Sequence, residues 1–229
     1  MRVTVEPVPG RDAMPPGAAA VIVDVLRATK TLTTALANGA RGVLPASSPE
    51  EAFALKGRHP AALLCGERDG RKVSGFDLGN SPLEYPAEAV AGRTLIFAST
   101  NGSIAMRRAG RARRRLLAAF VNASAVVAGL GREADVVIVC AGNLGRFSLE
   151  DMLLAGWLCA RLAEAGAVLA GPAARLAPAL APRDAGEVRS LVQGSSHGRY
   201  LRTLGPEYAA DVEACCQLDS IGRAFDLGG

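Results

Sequence analysis

The chain has 229 residues, a formal net charge of +4, 49% hydrophobic and 21% charged residues, enough for a sizeable core in one domain (1–229) or two closely joined halves. No run reaches the roughly eighteen apolar residues of a membrane span, and residues 1–6 lack a signal peptide's apolar core, so a cytoplasmic protein with no membrane partner is expected. Arginines cluster at Arg107, Arg108, Arg111, Arg113, Arg114 and Arg115, but aromatics are only 4% and none interleaves with them, which argues for a solvated helix end and against nucleic acid.

Residues 1–6 alternate like a strand, and Pro7, Pro9, Gly10, Pro15, Pro16 and Gly17 then mark a turn-rich crossing. Residues 18–25 form an apolar, partly β-branched run that reads as a buried central strand. Asp24 and Arg27 fall at its carboxyl end, before a helix over 29–38 that Gly39 closes. Thr29, Lys30 and Thr31 start that helix, where free N–H groups, the helix dipole and threonine hydroxyls suit an anion. The alternative is that Thr29 caps the helix and Asp24 caps a turn. A short strand at 41–46 precedes a helix opened by Ser48 and Pro49.

The apolar run 61–65 reads as a strand, and the stretch from Cys65 to Tyr85 as a long loop. It carries Glu67, Arg68, Asp69, Arg71, Lys72, Asp77 and Asn80 among Gly66, Gly70, Gly75 and Gly79. Val73, Phe76, Leu78, Leu83 and Tyr85 can anchor it. Loops of this length are functional or disordered. Mixed carboxylates and cations on an anchored glycine-rich loop suit an anionic ligand, with or without a hard cation; an ion-paired surface loop is the alternative.

A strand at 93–98 ends in Ser99-Thr100-Asn101-Gly102-Ser103 before a helix at 104–108, a second turn able to close on a phosphate. A strand at 115–121 and a helix at 122–130, capped by Asn122 or Ser124, follow. The buried strand at 134–140 exits through a third glycine-rich turn that includes Gly142. Ser148 and Asp151 match a capping box, which gives Asp151 a structural job and leaves Glu150 for the site. Residues 165–181 lack a clear period, helices are expected at 187–193, from 195 and over 207–218, and the tail 219–229 is unassigned. The strand–helix alternation predicts an α/β domain, with helices on both faces of a largely parallel sheet. Ligands gather at the carboxyl ends of such strands, and Asp24, Glu67, Asn101 and Gly142 all lie just past predicted strands. No G-x-x-x-x-G-K-[ST] or G-x-G-x-x-G is present to support a nucleotide enzyme. The five cysteines include no C-x-x-C pair, which favours buried, reduced thiols.

The stretch Gly66-Glu67-Arg68, running into Gly75-Phe76-Asp77-Leu78-Gly79-Asn80-Ser81-Pro82, resembles the signature of the 2-phosphosulfolactate phosphatase family. Four further segments match that family in order: 24–29, 99–102, 140–142 with 147–151, and 196–198. The tail departs from the family's usual apolar segment with Val-Pro. The resemblance implies a three-layer α/β/α fold with a largely parallel or mixed central sheet. It also implies Mg²⁺-dependent hydrolysis of a phosphorylated 2-hydroxy acid, here 2-phosphosulfolactate, and a place in coenzyme M biosynthesis.

Phosphoryl transfer needs charge compensation and a positioned nucleophile, and carboxylates suit Mg²⁺. Asp24, Glu67 and Asp77 are the expected metal ligands, and with Arg27 they form the expected catalytic set. Arg68 and Lys72 are further anion ligands, and Thr29, Thr31, Asn80, Ser81, Thr100, Asn101, Gly102, Gly142 and His197 complete the expected substrate contacts. Water activated by the metal is the favoured nucleophile, with a phospho-aspartate at Asp24 as the alternative. His197 either contacts the substrate and protonates the leaving oxygen or caps the helix after Gly194. Non-catalytic binding of acidic metabolites is the rival function, and the chain's size is compatible with a homodimer.

Overall fold

The computed structural model describes residues 1–10, 12 and 14–227. Strand β1 (Arg2–Glu6) leads through the proline-rich crossing to β2 (Ala19–Val23) and helix α1 (Ala28–Ala37). β3 (Gly42–Ala46) and α2 (Pro49–Arg58) follow, the latter capped by Ser48, whose side chain accepts from the Glu51 N–H. β4 (Leu63–Arg68) turns into the short β5 (Arg71–Lys72). After α3 (Ala87–Val90) come β6 (Thr94–Ala98), α4 (Gly102–Arg108), β7 (Arg114–Ala118), α5 (Ala123–Gly129) and β8 (Asp135–Cys140). The long α6 (Leu149–Glu164), β9 (Val168–Leu169) and α7 (Pro172–Leu176) precede α8 (Ala185–Gly194), α9 (Ser196–Leu204) and α10 (Pro206–Cys215). β10 (Phe225–Asp226) closes the order.

The fold is α/β, with mixed sheets flanked by helices, and its strands divide between two sheets instead of one. The first runs β10-β7-β2-β8-β1-β9, with β2 paired in parallel to both β7 and β8. The second runs β3-β6-β4-β5, parallel except for the β4–β5 hairpin. Alternation along β2 explains the layering. Ala19, Val21 and Val23 face a core shared with Leu153, Trp157 and Leu158 of α6. Ala20 and Ile22 face a second core, where Leu32 of α1 and Met106 of α4 meet Leu95 and Phe97 of the other sheet. Helix α4 thus packs on β2 and β8 on one side and on β3 and β6 on the other. A third, smaller core on the far side of the second sheet joins Ile96 to Ala52 and Phe76.

Two expectations change. The polar stretch after Cys65 does not leave the sheet at once: β4 continues through Glu67 to Arg68, because β6 and β5 supply its backbone partners. The tail, unassigned from sequence, adds β10 antiparallel to β7; its residues 228–229 lie outside the description. In the arginine cluster Arg107, Arg111 and Arg113 are exposed, as expected of a solvated helix end and turn, while Arg108 pairs with Glu6, Arg113 with Glu133, and Arg114 with Glu133 and Asp226. The five cysteines are all free and buried. Among the described residues, no helix is long and apolar enough to cross a membrane.

Candidate active site

The carboxyl ends of β2, β4, β6 and β8 meet the start of α9 around one cavity of about 290 Å³. Asp24, Arg27, Glu67, Asn80, Thr100, Asn101 and His197 line it, joined by Asp69, Asn143 and Tyr200. Its volume suits a small ligand, near the lower limit for ordinary small-molecule pockets.

Asp24 is 6% exposed, at the turn from β2 into α1. Its Oδ1 accepts from the Ala28 N–H at 3.3 Å. Burial, strengthened by repulsion from Glu67 and Glu150 and opposed by His197 and the Ala28 N–H, pushes its carboxyl from 3.8 to about 7. Gly102 lies directly against it: a Cβ there would sit 2.6 Å from Asp24 Oδ2 and from Ala28 Cβ, so only glycine lets α4 start this close.

Glu67 joins the two loops beside Asp24. Its Oε1 accepts from the Thr100 N–H at 2.7 Å, and its Oε2 from the Gly70 N–H at 2.7 Å and the Thr100 hydroxyl at 3.2 Å. The preceding Gly66 has φ +128°, and a Cβ there would lie 1.8 Å from the Ala98 carbonyl oxygen. Asn101 Oδ1 accepts from the Leu144 N–H at 2.9 Å, which ties the β6 turn to the β8 exit.

Arg27 is 4% exposed and held on several sides. Its Nη1 pairs with Asp211 of α10, its Nη2 donates to the Gly70 carbonyl at 2.6 Å, and its Cζ lies 5.1 Å from the Tyr208 ring centroid. Asp211 also accepts from the Ser81 hydroxyl. Burial raises the Asp211 carboxyl although Ser81 and Arg27 both favour its ionised form.

At α6, Ser148 caps as expected, accepting from the Asp151 N–H at 3.3 Å. The Asp151 carboxylate does not complete a capping box. It reaches sideways, Oδ1 accepting from the Val25 N–H at 2.9 Å and Oδ2 from the Gly142 N–H at 3.0 Å, and so clamps the β2 and β8 exits together. Burial, then its neighbours Asp24 and Glu150, pushes its carboxyl well up. Glu150 faces His197, with Nδ1 and Oε1 3.2 Å apart. Although burial opposes it, the hydrogen bonds from His197, its own backbone and Ser195 hold the Glu150 carboxyl below its usual value.

Several expected contacts lie elsewhere. Thr29 is fully buried, and its hydroxyl and N–H both donate to the Asp24 carbonyl. It locks the turn and does not line the cavity. Thr31 donates to the Asn80 carbonyl at 2.9 Å and fastens that loop. Ser81 is engaged with Asp211, and Gly142 with Asp151. Asp77 accepts from the Leu64 N–H at 2.8 Å, three residues back along β4 from Glu67 and so roughly 10 Å away at the rise of a strand. Arg68 turns to the carbonyls of Glu67 and Ser47, and Lys72 is exposed on β5. None of these lines the cavity. Sequence reasoning passed over Asp211, which the pattern of α10 offered only as a polar residue beside the buried Val212 and Cys215. It also missed Asp151's clamp, which a capping signature concealed.

Three carboxylates, one arginine and one histidine around a small cavity at the strand ends of an α/β fold suit hydrolysis of a small anionic ester. Similarity to known proteins narrows this class. A family model described as 2-phosphosulpholactate phosphatase matches residues 4–224. A protein of Thermotoga petrophila named "Probable 2-phosphosulfolactate phosphatase" is 45% identical over 200 residues, covering 87% of this chain and 85% of that protein. One of Thermotoga maritima with the same name is 42% identical over the same shares, and one of Deinococcus radiodurans is 41% identical over 88% of this chain and 84% of that protein. The chain belongs to the 2-phosphosulpholactate phosphatase family, and with it to the phosphoric monoester hydrolases.

Proposed function

We propose that the chain hydrolyses the phosphate ester of a small 2-hydroxy acid, 2-phosphosulfolactate first among them, and that Mg²⁺ assists it at Asp24 and Glu67. The observation that carries the metal reading is the charge of the cavity. Asp24, Glu67 and Asp69 line it, and its one arginine is already paired with Asp211. A substrate bearing a phosphate and a second acidic group cannot enter such a site without cationic compensation. Mg²⁺ takes one or two carboxylates and keeps several waters. Among the described residues Asp24 Oδ2 has no protein donor, and Glu67 Oε1 accepts only from the Thr100 N–H and keeps a lone pair, so the pair fits such an ion. Asp77 drops from the ligand set because it braces β4. Among the described residues no three His, Cys, Asp or Glu side chains form a cluster that could hold a metal ion by themselves.

Bound there, the ion would neutralise charge on the phosphoryl oxygens and favour ionised water. The chain's own residues do the rest. Arg27 presents the remainder of its guanidinium to an anionic group, fixed in place by Asp211 and Gly70. Asn80 is 6% exposed, lines the cavity, and has an Oδ1 acceptor without a partner among the described residues, which is open to a donor such as a water of the hydrated ion. Thr100 and Asn101 frame the opposite wall. The test is release of inorganic phosphate from 2-phosphosulfolactate and from 2-phospholactate, with Mg²⁺ and with EDTA. Release that requires Mg²⁺ supports the reading, equal release in EDTA removes the metal, and tight binding without release favours a non-catalytic binder.

A further inference from the structure

The cavity holds a histidine with one ring nitrogen that no other described residue occupies. His197 sits at the second position of α9, beside Ser195, whose hydroxyl accepts from the Gly198 N–H at 2.9 Å and caps the helix. His197 is therefore not needed as the cap. Its Nδ1 faces Glu150 Oε1 at 3.2 Å, and its Nε2 has no protein partner among the described residues. The imidazole stacks beside Tyr200, with ring centroids 6.4 Å apart, and both residues line the wall that Asp24 and Arg27 share. Glu150 is 2% exposed and grows from the first turn of α6, so it cannot swing away to solvent.

We infer that His197 protonates the leaving alkoxide through Nε2 and that Glu150 is the positioning residue that holds the imidazole for this step. The inference rests on the phosphatase reading above. In the step, a water oxygen bonds to phosphorus while the bond from phosphorus to the ester oxygen breaks. The bonding pair leaves with the ester oxygen, which takes the Nε2 proton and departs as the hydroxy acid. One proton of the attacking water stays on the phosphate product, and the other returns to the imidazole through solvent. A carboxylate on Nδ1 fixes the ring and leaves Nε2 as the nitrogen available to the substrate. Alkyl alcohols are poor leaving groups, so the lost proton matters most for them. General acid catalysis of this kind contributes roughly 10²–10⁴-fold.

The experiment pairs 2-phospholactate with 3,3,3-trifluoro-2-phospholactate, which has nearly the same shape and charge but a far more acidic leaving alcohol. His197→Gln should lower kcat on 2-phospholactate by roughly 10²-fold or more and on the trifluoro ester by less than about tenfold, with KM little changed for either. Glu150→Gln should show the same selective loss in milder form, a pattern that a merely structural role would not produce. Equal losses on both esters would overturn the acid role of His197. A Glu150→Gln variant with the wild-type ratio between the esters would overturn its positioning role. Wild-type protein that releases phosphate from neither ester, nor from 2-phosphosulfolactate, would instead sink the phosphatase reading itself.

Discussion

Asp24→Asn separates function from stability. In the folded protein Asp24 keeps its proton up to about pH 7, whereas in the unfolded chain it loses it near 3.8. Between those values the folded state binds the extra proton, so stability falls as pH rises through this window and levels off above it. The gap from 3.8 to about 7, at 1.36 kcal/mol per pH unit, amounts to about 4 kcal/mol of stability lost by pH 8. Asparagine keeps an acceptor for the Ala28 N–H and cannot ionise. Relative to wild type, the variant should therefore gain stability as pH rises, by about 3 kcal/mol between pH 5 and pH 8.

Urea unfolding in EDTA, followed by fluorescence of the buried Trp157, the chain's one tryptophan, measures this directly. The same variant should have lost turnover. Mg²⁺ at a hundredfold excess over its dissociation constant should restore about 2.7 kcal/mol to wild type at pH 8 and little to the variant. A stability gap between the two proteins that stays constant from pH 5 to pH 8 would refute the buried-carboxylate argument. Equal Mg²⁺ stabilisation of both would remove Asp24 from the metal site even if the pH argument stood.

Glu67→Gln and Asp77→Ala should diverge: the first should weaken Mg²⁺-dependent turnover by at least tenfold, while the second should leave its Mg²⁺ dependence intact and cost about 1 kcal/mol in urea unfolding through the part-buried bond to Leu64. Asp211→Ala would leave Arg27 buried without its carboxylate, so unfolding measurements should register a loss of about 3–5 kcal/mol. Thr29→Val should chiefly lower stability with KM unchanged, whereas Asn101→Ala should raise KM, and the reverse pattern would restore the helix start as an anion site.

How much of this was legible in the sequence depended on distance along the chain. Local signals held: the buried run before Asp24 is a strand, Ser48 and Ser148 are caps, and the turns after β2, β6 and β8 open on the site side. A residue type at a strand end, however, does not say where its side chain turns. Thr29 and Thr100 both follow strands, yet Thr29 closes back on the Asp24 carbonyl, while Thr100 reaches Glu67 and the cavity. Asp77 and Glu67 belong to one motif, but Asp77 returns to Leu64 and braces the opposite end of β4 from Glu67. Contacts across more than a hundred residues, Arg27 with Asp211 and Val25 with Asp151, leave no period or spacing to read.

Those long-range contacts also give a reason why the site draws on both sheets. A single parallel sheet would bring Asp24 beside residues of adjacent strands such as β8. Here β4 and β6 belong to the second sheet, and α4, wedged between the sheets, starts hard against Asp24 because Gly102 carries no side chain. The Glu67 carboxylate can then face Asp24 while its own charge is held by the N–H groups of Gly70 and Thr100. Placing Glu67 there adds its repulsion to the burial that disfavours ionisation of Asp24. With Asp24 already raised to about 7 and the one cavity arginine occupied by Asp211, under the proposed Mg²⁺ reading a cation and an anionic substrate balance the site's charge together. That arrangement predicts ordered dependence: substrate affinity measured at pH 8 should rise steeply with Mg²⁺ in wild type and lose that dependence in Asp24→Asn. Substrate binding in EDTA as tight as in Mg²⁺ would mean that Arg27 suffices for the anion, and the two carboxylates would then need another purpose.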